Sequence, residues 1–335
     1  MQPVPQSLFA PSAATLEGEN ADVYFRRTAR ILDAEGLDPV VAAEVFARRG
    51  ALLCGMREVH ALLREALAGE GEVRSLEEGS RFEPKEVVLR VRAPYRRFCL
   101  YETALLGMLS SGTGWATAAA ECVEAAAGIP VIGFGARHLH PDVSSRMEYA
   151  ACVGGFSGCA TTAGARLAGL EPSGTLPHAL ILAAGDTLEA TRMFDRVIEA
   201  DVDRIALVDT FLPEPEESVR VAGALKERLW GVRLDTASER GGVTAELVGE
   251  TRRRLDEAGH RHVRIVVSGG IDARRIRYFL EAGAPVDAFG VGSAISAAPA
   301  VDFTMDLKEV EGRPVAKLGR VPGITENPRL KRVSP

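Results

Sequence analysis

Short apolar runs that each carry or end in glycine or polar residues recur through residues 130–293, and they limit the possible folds more than any other feature. The seven runs occupy residues 130–137, 152–157, 176–182, 204–210, 231–235, 263–270 and 286–293. Stretches rich in Ala, Leu, Glu and Arg, which favour helix, separate most of them. Strands alternating with helices form parallel βαβ units with right-handed crossovers. The predicted fold class is α/β, with an irregular TIM-like (β/α) barrel over residues 111–297 whose chemistry lies at the strand carboxyl ends.

The flanking segments predict a second, smaller domain of the α/β sandwich type. Helices are predicted over residues 25–35, 39–49 and 56–68, and alternating strands over 72–97. Two alanine-rich helices, at 101–109 and 115–127, lead to the barrel. Two short strands at 302–310 and 314–319 have no helix between them, so we expect them to return to the small domain. The predicted domains are therefore 1–110, 111–297 and the returning segment 298–335.

Composition excludes several classes of protein. The formal net charge of −6 over 335 residues argues against nonspecific binding to nucleic acid, whose backbone favours an excess of Lys and Arg. The five cysteines are odd in number and form no C-x-x-C pair, which disfavours a disulfide framework or a structural zinc site and favours a reducing cytosol. The sequence shows no secretion signal and no apolar run of about 18 residues. A cytoplasmic protein without membrane or nucleic-acid partners is expected.

Two glycine-containing loops follow late strands of the predicted barrel and indicate phosphate binding. Their residues are Ser268, Gly269, Gly270, Gly290, Gly292 and Ser293. Glycine at a strand-to-helix junction lets a phosphate approach backbone N–H groups, and the helix dipole adds attraction. Two such loops on adjacent late strands match the phosphate site of many barrels. Tight turns that bind no ligand are the alternative interpretation.

Charged side chains are expected at the ends of neighbouring strands. They are Arg137, Asp209, Arg233 and Asp235. Carboxylates there can hold Mg²⁺ directly or through water, or accept hydrogen bonds from ribose, and the forked arginine donors suit phosphate oxygens. The set suits a phosphorylated sugar with Mg²⁺ at Asp209 and Asp235, although a simple Arg233–Asp235 ion pair is the alternative. His138 and His140 have zinc-like spacing but no third ligand nearby, so His138 is expected to line the entrance or contact phosphate.

Eight segments in a fixed order carry a family resemblance. They are residues 22–24 (DVY), 101–106 (YETALL), 134–137 (FGAR), 174–178 (GTLPH), 209–210 (DT), 233–235 (RLD), 268–270 (SGG) and 289–292 (FGVG). Over about residues 18–320 the chain resembles the type II phosphoribosyltransferases, and among them the short archaeal and bacterial nicotinate phosphoribosyltransferases. Ala21 stands where that family has threonine.

The resemblance implies transfer of a phosphoribosyl group from 5-phosphoribosyl 1-diphosphate to the ring nitrogen of nicotinate, with release of pyrophosphate, in NAD biosynthesis or salvage. It implies catalytic roles for His178, Asp209, Arg233 and Asp235, with Mg²⁺ as cofactor. ATP is implied as a co-substrate that phosphorylates His178. From the residues alone, His178 could equally be a core histidine in an apolar run.

The resemblance also implies how the pyridine ring is held. Phe134 stacks on one face of the ring, while Arg137 and Thr175 contact substrate. Tyr24 reaches the other face from a partner subunit, which requires a homodimer or a larger homo-oligomer.

The choice among pyridine substrates rests on charge. Residues 158–162 contain no Asp or Glu, whereas a nicotinamide-specific relative carries an acidic residue there, so nicotinate is favoured. Residues 134–210 contain no lysine, which disfavours the two carboxylates of quinolinate. Quinolinate or nicotinamide transfer and a noncatalytic phosphate-binding barrel are the alternatives. A pure phosphate binder would not need Asp209, Arg233 and Asp235 at adjacent strand ends.

Overall fold

The computed structural model of the protein describes residues 5–333 and divides them into two compact units. One unit combines the described residues up to Thr117 with those from Ala298 onward, and the other spans Ala118–Ala297. The outermost parts of the predicted terminal segments, residues 1–4 and 334–335, lie outside the described residues. Within the described range, no helix is long and apolar enough to cross a membrane.

Strands and helices alternate along most of the described chain. The strands are β1 (Val40–Ala47), β2 (Ala51–Leu52), β3 (Glu72–Ser75), β4 (Arg81–Phe82), β5 (Val87–Pro94), β6 (Val131–Gly133), β7 (Gly158–Cys159), β8 (Arg204–Leu207), β9 (Leu229–Leu234), β10 (Arg264–Val267), β11 (Ala288–Val291), β12 (Phe303–Val310), β13 (Arg313–Pro314) and β14 (Lys331–Val333). The α-helices are α1 (Ala13–Leu16), α2 (Val23–Ala34), α3 (Met56–Leu67), α4 (Tyr95–Phe98), α5 (Glu102–Ala126), α6 (Pro141–Val153), α7 (Thr162–Ala168), α8 (His178–Ala184), α9 (Thr187–Val197), α10 (Glu214–Leu225), α11 (Ala245–Glu257), α12 (Ala273–Glu281) and α13 (Ser293–Ser296). Short 3-10 turns occupy Gln6–Phe9, Cys99–Tyr101, Ala136–His138, Lys226–Arg228 and Ser238–Arg240.

The first unit is built on a six-stranded sheet with the order β13-β12-β1-β5-β3-β14. Its neighbouring strands pair antiparallel, and β12 returns from the end of the chain to pair with β1 along Val41–Ala47. Apolar side chains of β1, β3 and β5 form one buried cluster with those of α3. The unit is thus a small α/β layer whose sheet joins both ends of the chain, although the stretch predicted as a strand at 314–319 contributes only Pro314 to β13.

The predicted helix at 39–49 was wrong, because this segment is the central strand β1. Its β-branched Val40, Val41 and Val45 suit a strand, and pairing on both sides outweighs the helical spacing of its apolar residues. Glu44 lies in the middle of the strand with its side chain 1% exposed. It faces Arg90 on β5, whose Nε donates to the Glu44 carboxylate at 2.8 Å, so the buried charge is paired.

The second unit contains a six-stranded parallel sheet with the order β7-β6-β11-β10-β9-β8. The edge strands β7 and β8 do not pair with each other among the described residues, so the sheet is a curled half-barrel instead of a closed ring. Helices connect the strands, as the βαβ prediction requires. The predicted α/β class with a TIM-like barrel and a separate small sheet domain is confirmed in this form.

Two of the seven predicted barrel strands are not strands. Residues 152–157 contain the end of α6 and a turn, and the strand that follows is only the two residues of β7. Residues 176–182 lie mostly in α8, which starts at His178 after Pro177 and ends before Gly185, whose φ is +77°. A short apolar run does not distinguish a buried strand from a buried helix, and here the flanking proline and glycine set the helix ends.

Candidate functional site

A cavity of about 950 Å³ in the second unit lies at the carboxyl ends of the parallel strands. Turns that follow β6, β7, β9, β10 and β11, together with the segment before α8, line it. Parallel strands bring their carboxyl ends to one edge of a sheet, which explains why residues far apart in sequence meet there. The predicted residues that line it are Phe134, Arg137, His138, Thr175, His178, Arg233, Asp235, Ser268, Gly269, Gly270, Gly290, Gly292 and Ser293.

The first glycine loop joins β10 to α12. Gly269 and Gly270 have φ values of +85° and +65°, a backbone region that side chains with a Cβ rarely adopt. The buried Ser268 donates its hydroxyl hydrogen to Asp235 Oδ1 at 2.8 Å. Asp272 caps the following helix by accepting from Arg275 N at 2.7 Å. The loop is thus a tight strand-to-helix turn that is tied to the end of β9.

The second glycine loop, at the end of β11, makes room for the turn after β6. A Cβ on Gly290 would lie 2.3 Å from Phe134 Cε2, and one on Gly292 would lie 3.2 Å from His138 Cε1. Gly290 was predicted as a phosphate contact, but the structure gives it a packing reason as well. Only glycine allows the Phe134 ring to lie against this strand.

Arg233 projects from β9 toward the aromatic ring of Phe134. The guanidinium carbon lies 5.6 Å from the centre of the ring, within the range of a cation–π contact. The Arg233 Nε is buried and has no hydrogen-bond partner among the described residues. Burial lowers the pKa of Arg233, while the charges of Asp235 and Asp209 oppose that shift. A buried donor without a partner beside a large cavity is suited to an anionic ligand.

His178 and Asp209 form a pair at the edge of the cavity. His178 Nε2 lies 3.0 and 3.1 Å from the two carboxylate oxygens of Asp209, whose side chain is 4% exposed. Burial raises the pKa of Asp209, and the hydrogen bond from His178 opposes that shift. An ionised carboxylate can only accept hydrogen bonds, so Nε2 carries the hydrogen and Nδ1 is the ring nitrogen left free. His178 begins a helix and not the predicted strand, and its ring contacts Asp209 just after β8.

The remaining predicted contacts differ in how firmly they are held. Arg137 and His138 are exposed in the 3-10 turn after β6, and Ser296 Oγ lies 3.3 Å from His138 Nδ1. Thr175 lies in the segment before α8, where its hydroxyl is 3.4 Å from the Leu176 carbonyl oxygen. These side chains line the cavity and have few fixed partners among the described residues.

Tyr24 belongs to the first unit, on α2, and its side chain is 55% exposed. Its hydroxyl donates to Asp22 Oδ2 at 3.2 Å, and the same oxygen accepts from Thr103 Oγ1 at 3.0 Å. Thr103 follows Glu102 in the motif at 101–106, so two of the predicted motif segments meet here. The role of Tyr24 in a partner subunit stays a prediction.

Sequence reasoning missed Glu148, a fully buried carboxylate on α6. It accepts from the backbone nitrogens of Ala160 and Thr161 at 2.8 and 3.2 Å, and from the Thr161 hydroxyl. Ala160 and Thr161 line the cavity, so Glu148 fixes part of its wall. A Cβ on Gly164 would lie 2.2 Å from Glu148 Oε2, which explains the glycine in α7. A glutamate flanked by Met147, Tyr149 and two alanines was the available sequence signal.

The site contains carboxylates suited to magnesium but no dense ligand cluster. Among the described residues, no group of three or more His, Cys, Asp and Glu side chains could hold a metal ion by itself. Mg²⁺ commonly uses one or two carboxylates together with substrate phosphates and water. Asp209 and Asp235 at neighbouring strand ends match that sparser donor set.

Two domain models of one protein family match this chain, one over each unit. The N-terminal domain model of quinolinate phosphoribosyl transferase matches residues 22–112, and the C-terminal domain model matches residues 115–306. The crystal structure of nicotinate-nucleotide pyrophosphorylase from Pyrococcus furiosus aligns with a TM-score of 0.87 at 42% identity, covering 97% of this chain and 85% of that chain.

Two curated relatives carry different names. A nicotinate phosphoribosyltransferase of Mycobacterium tuberculosis is 32% identical over 256 residues, which are 74% of this chain and 55% of the relative. The carboxylating nicotinate-nucleotide pyrophosphorylase of Homo sapiens is 30% identical over 245 residues, which are 72% of this chain and 75% of the relative. The chain spans about half the length of the nicotinate phosphoribosyltransferases it matches, at 55%, 52% and 49%.

Proposed function

We propose that the chain, which belongs to the quinolinate phosphoribosyl transferase family, transfers the phosphoribosyl group of 5-phosphoribosyl 1-diphosphate to nicotinate. The products are nicotinate mononucleotide and pyrophosphate. The observation that carries the proposal is the cavity that joins Arg233, Asp235 and two glycine loops beside the His178–Asp209 pair. A protein that only binds phosphate would need the two glycine loops but not the charged residues at the strand ends.

The reaction needs positioning and charge stabilisation more than covalent help from the protein. As the bond from ribose to diphosphate breaks, positive charge develops on the ribose and negative charge on the leaving pyrophosphate. Arg233, whose Nε has no protein partner in the described chain, would donate to phosphate oxygens. The Asp209 and Asp235 carboxylates would accept from ribose hydroxyls, and the Ser268–Gly270 turn would hold the 5-phosphate. Phe134 would stack on the pyridine ring.

Magnesium fits the donor set as a proposed cofactor. The two carboxylates are of the hard oxygen type that Mg²⁺ prefers, and Asp209 is shielded from solvent. Asp209 and Asp235 would hold the ion directly or through water, and when bound it would neutralise charge on the diphosphate.

His178 is the proposed acceptor for a phosphoryl group from ATP. Its Nε2 faces Asp209, so the lone pair of the free Nδ1 would attack the γ-phosphorus of ATP and release ADP while the carboxylate holds the ring. The same carboxylate would stabilise the positive charge on the ring during transfer. ATP would then stimulate synthesis without being required for it.

The choice of nicotinate rests on the cations that line the cavity. In the described part of the chain these are the guanidinium groups of Arg137 and Arg233, and no lysine lines it. Phosphate oxygens of the sugar would engage Arg233, which leaves few cations for the two carboxylates of quinolinate. The family model and the human relative favour quinolinate as the second candidate. Nicotinamide is disfavoured because residues 158–162 contain no Asp or Glu to accept from its amide. The nearby Glu148 carboxylate already accepts from the backbone of Ala160 and Thr161 and from the Thr161 hydroxyl.

One assay separates these candidates. The purified protein is incubated with 5-phosphoribosyl 1-diphosphate, Mg²⁺ and each of nicotinate, quinolinate and nicotinamide, with and without ATP, and pyrophosphate and nucleotide are measured. We expect the highest kcat/KM with nicotinate, and an increase when ATP is present. Asp235→Asn is the matched variant, because it keeps the shape of the side chain and removes its charge.

Each contrary outcome has a definite meaning. Equal or better use of quinolinate, with release of carbon dioxide, would overturn the choice of nicotinate and retain the transfer reaction. Binding of phosphate ligands without turnover of any pyridine, in parent and Asp235→Asn alike, would favour a noncatalytic phosphate-binding protein.

A further inference from the structure

A buried ionic cluster joins the two loops that carry Asp209 and Asp235. The side chain of Glu214, the first residue of α10, is fully buried. Its Oε1 accepts from Thr236 Oγ1 at 2.7 Å and from Arg240 Nη1 at 3.0 Å, and its Oε2 accepts from Arg240 Nη2 at 3.0 Å. Arginine thus binds both carboxylate oxygens in the forked geometry that gives the strongest ion pairs.

The sequence places this cluster directly beside the proposed site. Glu214 closes the loop that runs from Asp209 at the end of β8 to the start of α10. Thr236 immediately follows Asp235 at the end of β9, and Arg240 lies in the 3-10 turn of the same loop. One buried carboxylate therefore ties together the two loops that bear the acidic residues.

A second link extends this chain of contacts across a third loop. Asp235 Oδ1 accepts from Ser268 Oγ at 2.8 Å, and Ser268 begins the glycine loop after β10. Two side-chain hydrogen bonds, from Thr236 to Glu214 and from Ser268 to Asp235, thus connect the loops that follow β8, β9 and β10, because Asp235 and Thr236 are adjacent in the chain. Arg240 is 51% exposed and is not among the residues that line the cavity, so its contribution to the site passes through Glu214.

We propose that Glu214 and Arg240 are positioning residues that fix the separation of the Asp209 and Asp235 carboxylates, and thereby set the affinity of the site for a magnesium-bound diphosphate. The inference rests on the proposed function, because it is that function which gives the two carboxylates a shared ligand. Residues that orient metal-binding carboxylates through hydrogen bonds commonly change affinity or activity by about 10- to 100-fold when they are removed.

The same helix offers a matched control. Glu217 is also fully buried on α10, and Arg220 donates to its Oε1 at 2.7 Å. Arg220 also donates to Asp186, which caps α9, so this second pair joins two helices and no strand-end loop. Removing either arginine leaves a buried glutamate without its cationic partner, so the costs to folding stability are of the same kind.

The test uses the full chain and inorganic pyrophosphate as the probe. Its binding is measured by titration calorimetry in the presence and absence of Mg²⁺, for the parent protein and for Arg240→Ala, Arg240→Lys and Arg220→Ala, together with thermal unfolding of each. We expect Arg240→Ala to weaken magnesium-dependent binding by about 10- to 100-fold. Arg240→Lys should restore part of it, because lysine keeps the charge and loses the fork. Arg220→Ala should bind as the parent does.

Kinetics with the best pyridine substrate supply the second readout. A positioning role predicts that Arg240→Ala raises the KM for 5-phosphoribosyl 1-diphosphate and the Mg²⁺ concentration needed for half activity. Arg220→Ala should leave both close to the parent values, although the two variants lower the melting temperature by similar amounts. Equal losses of affinity in the two alanine variants, or no loss in either, would overturn the proposal. If the parent turns over no pyridine but the calorimetric pattern holds, the positioning role stands and the proposed function falls. A parent that binds no pyrophosphate with Mg²⁺ overturns both.

Discussion

Gly290 illustrates how a single missing side chain shapes the site. The Phe134 ring occupies the space that a Cβ would need, at 2.3 Å from Phe134 Cε2. The ring in turn lies against the guanidinium of Arg233. A methyl group at this position must therefore displace the ring and disturb the cation that faces the cavity.

We predict that Gly290→Ala destabilises the protein by about 1–3 kcal/mol, the usual cost of overpacking, and raises the KM for nicotinate in the proposed reaction. Gly174→Ala is the control, because Gly174 lines the same cavity and a Cβ there would meet nothing within 4 Å. Thermal unfolding and steady-state kinetics measure both effects. Equal behaviour of the two variants would show that the Phe134 ring adjusts freely and does not depend on Gly290.

At the residue scale, the sequence indicated the charged strand ends because their spacing alone brings them to one edge of a parallel sheet. The sequence alone was enough to place Arg233, Asp235 and Ser268 at these strand ends. Glu148 and Glu214 were not predicted, since their partners are backbone nitrogens or side chains from other loops that only the fold brings near. A buried carboxylate is identified by the groups that hydrogen-bond to it. When those groups are distant in sequence, the amino-acid pattern around the carboxylate does not predict them.

At the scale of elements, α5 shows why local propensity fails where backbones approach closely. Two helices were predicted, at 101–109 and 115–127, with a break at the glycine- and serine-rich residues 110–114. The structure has one helix over Glu102–Ala126. A Cβ on Gly112 would lie 3.0 Å from the Cys54 carbonyl oxygen, and one on Gly114 would lie 2.5 Å from that of Pro299. These glycines allow neighbouring backbone to pack on the helix and do not end it.

We predict opposite effects of alanine at two glycines of this helix. Gly107→Ala should stabilise the protein by about 0.5–1 kcal/mol, because the site is open and alanine favours helix. Gly114→Ala should destabilise it despite the same gain in propensity, because the new methyl group meets the Pro299 backbone. Urea unfolding of both variants gives the difference. Stabilisation by Gly114→Ala would mean that this close approach is absent in solution.

The other errors at this scale have one cause. The segments at 39–49 and 176–182 are short and apolar, and such runs fit a strand or a helix equally well. Pairing with β5 and β12 decides the first, and Pro177 with Gly185 decides the second. The late strands β8 to β11 were predicted because each short apolar run there carries or is followed by polar or glycine residues.

At the scale of the whole molecule, the pH dependence of stability contains a contribution from Glu102 in the first unit. Burial, followed by the charges of Asp306 and Asp22, raises the pKa of Glu102 from 4.5 to about 7. Between these two values the folded protein keeps a proton that the unfolded chain has lost. Stability from this group is therefore fully present below pH 4.5 and falls as the pH rises to about 7.

Replacing Glu102 by glutamine should remove this pH-dependent loss. We predict that Glu102→Gln and the parent have similar melting temperatures below pH 4.5, and that the variant becomes progressively the more stable of the two as the pH rises from 4.5 to about 7. The reason is that in this pH range the folded parent must either ionise a half-buried carboxyl beside Asp22 and Asp306 or keep that carboxyl protonated, and both cost free energy that glutamine does not. Above about pH 7 the difference should stay constant. Glu121→Gln, on an exposed position of the same helix, controls for the loss of one negative charge. Melting temperatures of both proteins across this pH range provide the measurement. If the melting temperature of Glu102→Gln stays parallel to that of the parent throughout, the Glu102 carboxylate is in contact with water and not in buried, acidic surroundings.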